Sequence, residues 1–197
     1  MSAPGTGIVI LAAGGSSRMG SPKQLLPWHG KALLRHVAEV ALGIEPALVC
    51  AVLGANAALV RPCLDGTQVI IAENEAWPEG MASSLRCGLE AVTRLRPDLD
   101  GVIFLVCDQP QVGAELLTAM LRAARGEGRT VVACEYDGTT GVPAWFHRSH
   151  FPELLALHGA QGARQVMRAH EATLARVPFA GGSADIDTPD DYARSLA

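Results

Sequence analysis

Short, nearly continuous apolar runs alternate along the chain with segments of helical periodicity, and this alternation constrains the fold most. The first run, residues 7–13, reads GIVILAA, and comparable runs cover residues 47–54, 68–72, 101–107 and 129–135. Because polar and apolar residues do not alternate within them, these runs predict strands that are buried on both faces. Strands of this kind occur in parallel sheets that helices cover on both sides.

Segments with apolar residues at helical spacing lie between and after these runs. They predict helices at residues 32–42, 57–64, 81–95, 114–124, 151–157 and 163–170 and from Pro189 onward, with a further strand at residues 173–178. Residues 136–150 read as irregular. The pattern therefore predicts an α/β fold with a mostly parallel sheet and helices on both faces. No repeat, low-complexity segment or linker interrupts residues 1–197, so we expect a single domain.

The composition argues against several classes of function. The formal net charge is −4 and no basic run occurs, which disfavours nucleic-acid binding through a broad cationic face. No apolar run reaches the length of a membrane span. No Lys or Arg precedes Arg18, so the basic region with which a signal peptide begins is missing. No cysteine pair has C-x-x-C spacing, and Cys50, Cys107 and Cys134 lie in apolar runs, as core residues do. We therefore expect a cytoplasmic protein without a membrane partner.

The loop after the first apolar run has the residues of an anion site. It reads GGSSRMGSPK, and its glycines, Gly14 and Gly15, permit close backbone approach and positive φ. Arg18 can bind two phosphate oxygens at once, and Lys23 can add a point charge. The loop lacks the ending of a P-loop and the glycine pattern of a dinucleotide site, so a turn with solvent-facing cations stays the alternative.

Carboxylates follow two other strands, at the edge where ligands of open parallel sheets bind. Asp108 follows the fourth apolar run in CDQP, and Asp185 and Asp187 alternate with Ile186 in DIDTPDD. In an extended segment, the latter two carboxylates share one face. Mg²⁺ takes one or two carboxylates together with substrate phosphates, so these residues are candidate metal ligands. The alternative is that they cap turns and helices before Pro110 and Pro189.

Five motifs in a fixed order carry a resemblance to a known family. They are LAAGGSSRMGSPKQLLP, EGMASSLRCGL, CDQP, GVPAWF and DIDTPDDY. In these motifs the chain resembles the MobA-like nucleotidyltransferases and, within them, the molybdenum-cofactor cytidylyltransferases. The resemblance implies a Rossmann-like fold of the nucleotide-diphospho-sugar transferase type. It also implies transfer of a nucleotide from an NTP with Mg²⁺ and release of pyrophosphate.

The resemblance also implies roles for individual residues. The base and ribose end of the nucleotide would be held by Leu11, Ala12, Ala13, Gly14 and Gly15, and the base would be read at Gly80, Met81 and Ser84. Arg18 and Lys23 would hold the triphosphate and act in catalysis. Asp108 would be catalytic as a Mg²⁺ ligand, and Asp187, alone or together with Asp185, would complete the site. For Ser84, a first-turn serine of a helix is the alternative.

The choice of base and acceptor follows from two local features. Guanylyl-transferring relatives usually carry glycine where this chain has Ala13, which favours CTP over GTP. The implied acceptor is the terminal phosphate of molybdenum-molybdopterin, and a molybdenum hydroxylase would receive the product. Many relatives read G-D-x-G-A-R where this chain has Gln161 in GAQGAR, so the chain departs from the family pattern in the segment that bears on the acceptor. Arg164 of this segment binds the acceptor phosphate or faces solvent on a helix.

Three alternatives to this function stay open. The first is the same chemistry with GTP, and the second is another phosphorylated acceptor, such as a sugar or polyol phosphate. The third is a non-catalytic nucleotide-binding chaperone that delivers the cofactor. A Rossmann-like oxidoreductase is disfavoured because the G-x-G-x-x-G fingerprint is missing.

We interpret two histidines and the three tryptophans as structural residues. His147 and His150 are three residues apart, but the sequence shows no third ligand type beside them, so we expect surface or structural histidines. Trp28, Trp77 and Trp145 adjoin glycine- and proline-rich segments. Each is expected to pack beneath a loop, with contact to a flat pterin ring as the alternative.

Overall fold

A seven-stranded sheet forms the centre of the protein in the computed structural model, which describes residues 5–126 and 128–196. Its strands are β1 (Thr6–Ala12), β4 (Leu48–Leu53), β5 (Ile70–Glu73), β6 (Gly101–Val106), β7 (Val131–Tyr136), β8 (Thr139–His147) and β9 (Leu174–Pro178). A separate hairpin consists of β2 (Pro27–Trp28) and β3 (Lys31–Ala32). The strand order of the sheet is β5-β4-β1-β6-β8-β7-β9. All its strands except β8 run in the same direction, which confirms the predicted mostly parallel sheet.

Helices connect the strands. They are α1 (Leu33–Leu42), α2 (Ala57–Val60), α3 (Met81–Leu95), α4 (Ala114–Ala124), α5 (Phe151–Leu155), α6 (Arg164–Ala169) and α7 (Pro189–Ser195). Five short 3₁₀ helices add Lys23–Leu25, Arg61–Leu64, Trp77–Glu79, Arg148–His150 and Glu171–Thr173. Every helix in the described part of the chain is too short or too polar to span a lipid bilayer.

Alternate residues of β1 enter two different cores, one on each face of the sheet. Ile8 and Ile10 pack in the cluster that contains the apolar faces of α1 and α4. Val9 and Leu11 pack in the cluster that contains α3 and buried residues of α5 and α6. The strand is thus buried on both sides, as its continuous apolar sequence predicts, and the expected helices on both faces are confirmed.

The sequence pattern does not predict β8, although this strand lies in the middle of the sheet. Gly141 and Pro143 break its apolar run, and a proline cannot donate a ladder hydrogen bond. The pairing of β8 with β7 shifts register at these residues: Ala144 pairs with Ala133, and the next pair is Gly141 with Cys134. Val142 and Pro143 therefore have no partner in β7, and the strand continues antiparallel on either side of them.

The predicted helix at residues 57–64 is shorter than its periodicity suggests. The α-helical part ends after Val60, and a 3₁₀ helix, Arg61–Leu64, completes the segment. Pro62 explains the change because it lacks the backbone N–H that the next α-helical turn would use.

The cysteines that the sequence places in the core are buried. Cys50, Cys107 and Cys134 have free thiols with at most 2% exposure, and Cys63 and Cys87 are also free. Burial raises the pKa of each of the three core thiols to about 12. They are therefore uncharged packing residues near neutral pH.

Gly88 lets α3 lie directly on the sheet. A methyl group there would lie 2.4 Å from Val9 Cγ1 and 2.8 Å from Val52 Cγ2. Gly88→Ala raises helix propensity by about 1 kcal/mol, but the stiff β-branched valines cannot move aside easily. We expect a net loss of about 1–2 kcal/mol in the free energy of unfolding, measured by urea denaturation. An unchanged or increased free energy of unfolding in Gly88→Ala would show that the two valines can move aside.

A capping box starts α7 and fixes the chain just before it. The Thr188 side chain accepts a hydrogen bond from Asp191 N, and the Asp191 carboxylate accepts one from Thr188 N at 2.8 Å. The same carboxylate accepts a hydrogen bond from Asp187 N at 3.3 Å. The hydrogen bonds from Thr188 hold the pKa of Asp191 below its usual value of 3.8. The stabilisation is thus present above that value and is lost as the pH falls through the lower pKa of the folded state.

Asp191→Asn should therefore lower the thermal unfolding midpoint near neutral pH, and the difference from the wild type should shrink in acid. Thermal denaturation across the acid range measures both. Asp190→Asn is the matched control, because Asp190 lies in the same first turn but outside the capping box. The same pH dependence in both variants would mean that the helix dipole, and not the capping box, is responsible.

Candidate active site

Lys23 joins carboxylates from two distant segments of the chain. Its Nζ donates hydrogen bonds to Asp108 Oδ2 and, at 3.2 Å, to Asp187 Oδ1. Arg18 adds a second cation, with its guanidinium 2.9 Å from Asp187 Oδ2. The loop after β1, the CDQP segment and the DIDTP segment therefore meet at one point, as the strand-end argument predicts.

The sheet positions these three segments. β1 and β6 are parallel neighbours with Leu11 opposite Val106, so the loop with Lys23 and the segment with Asp108 leave the same edge. Ile186 N then donates a hydrogen bond to Asp108 O at 2.9 Å, which places DIDTP beside CDQP. The Ile186 side chain is 1% exposed and packs with Trp28 and Leu33, as predicted for the residue between the two aspartates.

The Lys23–Asp108 pair is partly withdrawn from water, since each side chain is less than one-fifth exposed. Burial lowers the pKa of Lys23, but the charge and hydrogen bond of Asp108 outweigh this effect and raise the pKa above its usual value. Lys23 is therefore charged at neutral pH. Asp108 Oδ1 is buried and accepts no hydrogen bond from any residue that the structure describes, so this carboxylate retains an unused ligand position.

Asp185 and Asp187 share a segment but have different partners. Asp185 Oδ1 accepts a hydrogen bond from Gln109 Nε2 at 3.0 Å, whereas Asp187 contacts the two cations. Burial raises the pKa of Asp185, the hydrogen bond from Gln109 opposes the rise, and the neighbouring Asp108 and Asp187 charges add to it. The three carboxylates thus form one negative cluster that Lys23 only partly neutralises.

A cavity of about 260 Å³ opens beside this cluster. Among the predicted nucleotide-site residues, its walls include Leu11, Ala12, Ala13, Gly14, Lys23, Gly80, Met81, Ser84 and Asp108. Two predicted residues are not among them: Gly15 lies against Ala55 and Trp77, and Arg18 is 68% exposed beside Asp187. Trp77 also lines the cavity, whereas Trp28 and Trp145 are buried packing residues.

Gly80 shapes the cavity wall at the start of α3. Its φ is +114°, and a Cβ atom would lie 2.5 Å from Gly159 O, so only glycine fits. Gly159 O accepts a hydrogen bond from Ala82 N at 3.1 Å, which attaches the segment around Gln161 to the helix. The Ser84 hydroxyl accepts a hydrogen bond from Asn74 Nδ2 at 3.0 Å and can still donate its own proton into the cavity.

A second cavity, of about 270 Å³, adjoins the first. The two cavities share Leu11, Met81, Val106 and Asp108. The remaining wall consists of two glycines, polar groups at Gln109, Tyr136, Arg164 and Asp185, and the apolar side chains of Leu85, Val142, Ala163 and Met167. The Arg164 side chain therefore borders a cavity, as one of its two sequence interpretations requires. Asp108 lies where a ligand in one cavity would meet a ligand in the other.

Comparison with known proteins places the chain in a family. The model of the MobA-like NTP transferase domain matches residues 8–174, which is most of the chain. The chain belongs to the MobA-like NTP transferase family. Rv0371c of Mycobacterium tuberculosis H37Rv is 35% identical to this MobA-like chain, with a TM-score of 0.83 over 100% of this chain and 99% of that one. A manganese complex of Rv0371c matches with 33% identity and a TM-score of 0.79, over 99% of both chains.

Curated relatives of this MobA-like protein have different names and lengths. The bifunctional protein GlmU of Nitrosomonas europaea is 32% identical over 137 residues, or 68% of this chain. The chain spans only 29% of the length of that relative. Purine catabolism protein PucB of Bacillus subtilis is 27% identical over 195 residues, which cover 93% of this chain and 92% of PucB.

The carboxylates of this MobA-like site fit a hard divalent cation. Asp108 Oδ1 is a buried oxygen without a partner, and Asp185 and Asp187 add oxygen ligands nearby. Mg²⁺ and similar ions prefer such oxygens and need only one or two carboxylates when phosphates complete the shell. The three side chains do not form a preassembled cage: in the described residues, only a different cluster brings three ligand atoms within 4.8 Å of one another.

Three buried amides support the site, and none of them is among the residues to which the sequence motifs give a role. Gln24, 1% exposed, donates hydrogen bonds to Ala12 O at 2.8 Å and to Gly14 O at 3.0 Å. Gln109 joins Asp185 to Gly182 O, and Asn74 holds the serines at the start of α3. A sequence signal exists for the two glutamines, since each directly follows a candidate charged residue in its motif.

From the sequence we expect positive φ at Gly14 and Gly15, but the loop has its left-handed residues elsewhere. Neither glycine adopts positive φ; the left-handed residues are Ser16, at +54°, and Gly20, at +75°. Ser16 O accepts hydrogen bonds from Met19 N and Gly20 N, and Ser16 Oγ accepts one from Lys23 N. The serine thus sets the turn that aims Lys23 at the carboxylates.

Gln24→Ala should weaken both the loop and nucleotide binding. The change leaves Ala12 O and Gly14 O without their side-chain donor, so we expect the free energy of unfolding to fall by about 1–3 kcal/mol. NTP affinity, measured by isothermal titration calorimetry, should fall because Gln24 lines the first cavity and holds the backbone of Ala12 and Gly14 in its wall. Gln68→Ala is the control, since Gln68 is exposed and lines neither cavity. Wild-type affinity in Gln24→Ala would show that the amide does not shape the site.

Proposed function

We propose that the protein transfers CMP from CTP to the terminal phosphate of molybdenum-molybdopterin with Mg²⁺ and releases pyrophosphate. On this proposal, residues 1–197 act as one nucleotidyltransferase domain, of which residues 1–4, 127 and 197 lie outside the described part. The observation that carries the proposal is the position of Asp108, opposite Lys23 and in the wall shared by both cavities. A transfer reaction needs two substrates to meet at one charged point, and this arrangement provides it.

The site contains the groups that phosphoryl chemistry needs. An oxygen of the acceptor phosphate attacks the α-phosphorus of the NTP, a new P–O bond forms, and the bond to pyrophosphate breaks in line. The acceptor oxygen is already anionic, so no general base is required. Lys23 and Arg18 neutralise charge that builds on the leaving pyrophosphate, and they act by position and charge alone.

Mg²⁺, when bound, would supply Lewis-acid chemistry that withdraws charge from the reacting phosphate groups. On this proposal Asp108 and Asp187 hold the ion, and Asp185 completes the site from the side of the second cavity. Lys23 contacts both of the first two carboxylates, so it keeps them together before the nucleotide arrives. The manganese complex of Rv0371c supports the use of a divalent ion by a relative.

The second cavity is the proposed acceptor site. Its wall combines apolar side chains, including Leu85 and Met167, with the phenol of Tyr136 and the cation of Arg164. An apolar wall with few polar groups suits a flat heterocycle better than a sugar, whose many hydroxyls need partners. Arg164 can bind the acceptor phosphate bidentately. This observation favours a pterin over sugar and polyol phosphates.

The proposed preference for CTP rests on Ala13. This residue is 5% exposed, packs in the cluster that contains Val52 and Leu85, and lines the first cavity. A side chain there narrows the space for the base, which favours a pyrimidine. The Ser84 hydroxyl, held by Asn74, offers a hydrogen-bond donor or acceptor to the base edge.

The decisive experiment incubates the purified protein with Mg²⁺, molybdenum-loaded pterin cofactor and each of the four NTPs, and quantifies pyrophosphate and dinucleotide. We expect product with CTP. Product with GTP alone would contradict the Ala13 argument, and product only with another phosphorylated acceptor would contradict the acceptor assignment. CTP binding without product for any acceptor would favour the chaperone.

Asp108→Asn separates binding from catalysis in the same assay. We expect a loss of product formation of at least about 100-fold, with CTP binding still measurable by calorimetry. Asp65→Asn is the matched control, because this exposed aspartate lines neither cavity. Wild-type turnover in Asp108→Asn would show that this carboxylate is not catalytic.

A further inference from the structure

A second group of metal-ligating side chains lies outside the proposed active site. His150, Glu153 and His170 place one ligand atom each within 4.8 Å of the others. His150 ends a 3₁₀ helix, Glu153 lies one turn later in α5, and His170 follows α6. Glu153 lies three residues after His150 in the sequence, so the expectation that no third ligand type is near these histidines was wrong, and folding brings His170 to the same point. His147 does not join the group; its Nδ1 contacts Ser149.

The cluster lies at the sheet edge opposite the proposed active site. His147, the last residue of β8, pairs with Gly101, the first residue of β6, whereas Asp108 follows the far end of β6. Six residues of strand separate the two edges, which corresponds to roughly 20 Å. The histidine cluster is therefore independent of the carboxylates that face the nucleotide cavity.

His150 is a buried imidazole without a hydrogen-bond partner. It is 7% exposed, and its Nε2 is buried with no partner among the described residues. Burial and, after it, the neighbouring His170 lower the pKa of His150. Its Nδ1 lies 3.6 Å from Glu153 Oε2, which is longer than a hydrogen bond. Nδ1 is therefore the ring nitrogen that an ion beside the Glu153 carboxylate would meet, and a ring nitrogen without a proton is the form of histidine that binds a metal.

The spacing of the three donors fits a small transition-metal ion. Ligands about 2.0–2.1 Å from a tetrahedral Zn²⁺ lie about 3.3 Å from one another. The observed separations from Glu153 Oε2 are 3.6 Å to His150 Nδ1 and 2.7 Å to His170 Nε2. The ring centroids are 4.2 Å apart. Glu153 is partly exposed, so its side chain can move by the few tenths of an ångström that an ion would require.

We propose that His150, Glu153 and His170 form a binding site for Zn²⁺ or a similar borderline divalent ion, with water in the fourth position. Two imidazoles and one carboxylate are a ligand set that zinc accepts and that magnesium, which prefers oxygen, does not. The ion would tie the start of α5 to the end of α6. The segment between these helices includes Gly159, which contacts α3, and Gly162 and Ala163, which line the second cavity.

The test measures Zn²⁺ binding to the full chain after removal of metal with a chelator, in millimolar Mg²⁺ to occupy carboxylate sites. We expect one Zn²⁺ per chain by calorimetry and, after Co²⁺ substitution, the visible absorption of a tetrahedral site. His170→Asn and Glu153→Gln remove ligands that are partly exposed, so both variants should fold. Each should lower Zn²⁺ affinity by more than about 100-fold, beyond the 10–100-fold cost of losing an outer-shell partner.

Two control variants locate the ion. His147→Asn removes a neighbouring histidine outside the cluster, and Asp108→Asn removes a carboxylate at the opposite edge. Both should bind Zn²⁺ with wild-type affinity and stoichiometry. Absence of stoichiometric Zn²⁺ binding by the wild type would overturn the proposal. Unchanged affinity in His170→Asn and Glu153→Gln, or loss of binding in Asp108→Asn, would overturn it equally.

Discussion

The ammonium group of Lys23 is the contact on which the proposed active site depends. It lies between Asp108 and Asp187, which belong to segments 79 residues apart by their numbering and would repel each other without it. Because the pair is partly buried, this attraction is screened less than an exposed ion pair would be. The arrangement also keeps one oxygen of Asp108 free of hydrogen bonds. The same cation therefore organises the carboxylates and leaves them able to accept a ligand.

Uncharged groups give the site its shape. Gln24, Gln109 and Asn74 are buried. The amides of Gln24 and Asn74 fix a backbone carbonyl and a hydroxyl in the wall of the first cavity, and the amide of Gln109 fixes the Asp185 carboxylate in the wall of the second. Gly80 and Gly88 act in a complementary way, since each allows one element to approach another more closely than a Cβ atom would permit. A few charged residues are therefore enough for the site, because rigid uncharged neighbours hold the cavity walls in place.

The two edges of the sheet have different chemistry. Carboxylates and cations gather where β1 and β6 end, which suits phosphates and hard cations. Two histidines and a glutamate gather at the other edge, which suits a softer ion. The segment from α5 to α6 connects the two edges, because its ends carry the histidine cluster and its centre borders the second cavity. An ion at one edge would therefore constrain a wall of the cavity at the other.

The local sequence by itself determined the strands that are buried on both faces, the helices between them and the residues that meet at the strand ends. These features depend on apolar periodicity and on the rule that parallel strands end at one edge, and both can be read along the chain. Only the tertiary structure decided the position of β8, because Pro143 interrupts the apolar pattern by which this strand could be recognised from sequence. The tertiary structure alone also decided the hydrogen-bond partners of Gln24, Gln109 and Asn74. It also decided that His170 joins His150 and Glu153, since contacts between residues distant in sequence arise only when the helices and sheet pack together.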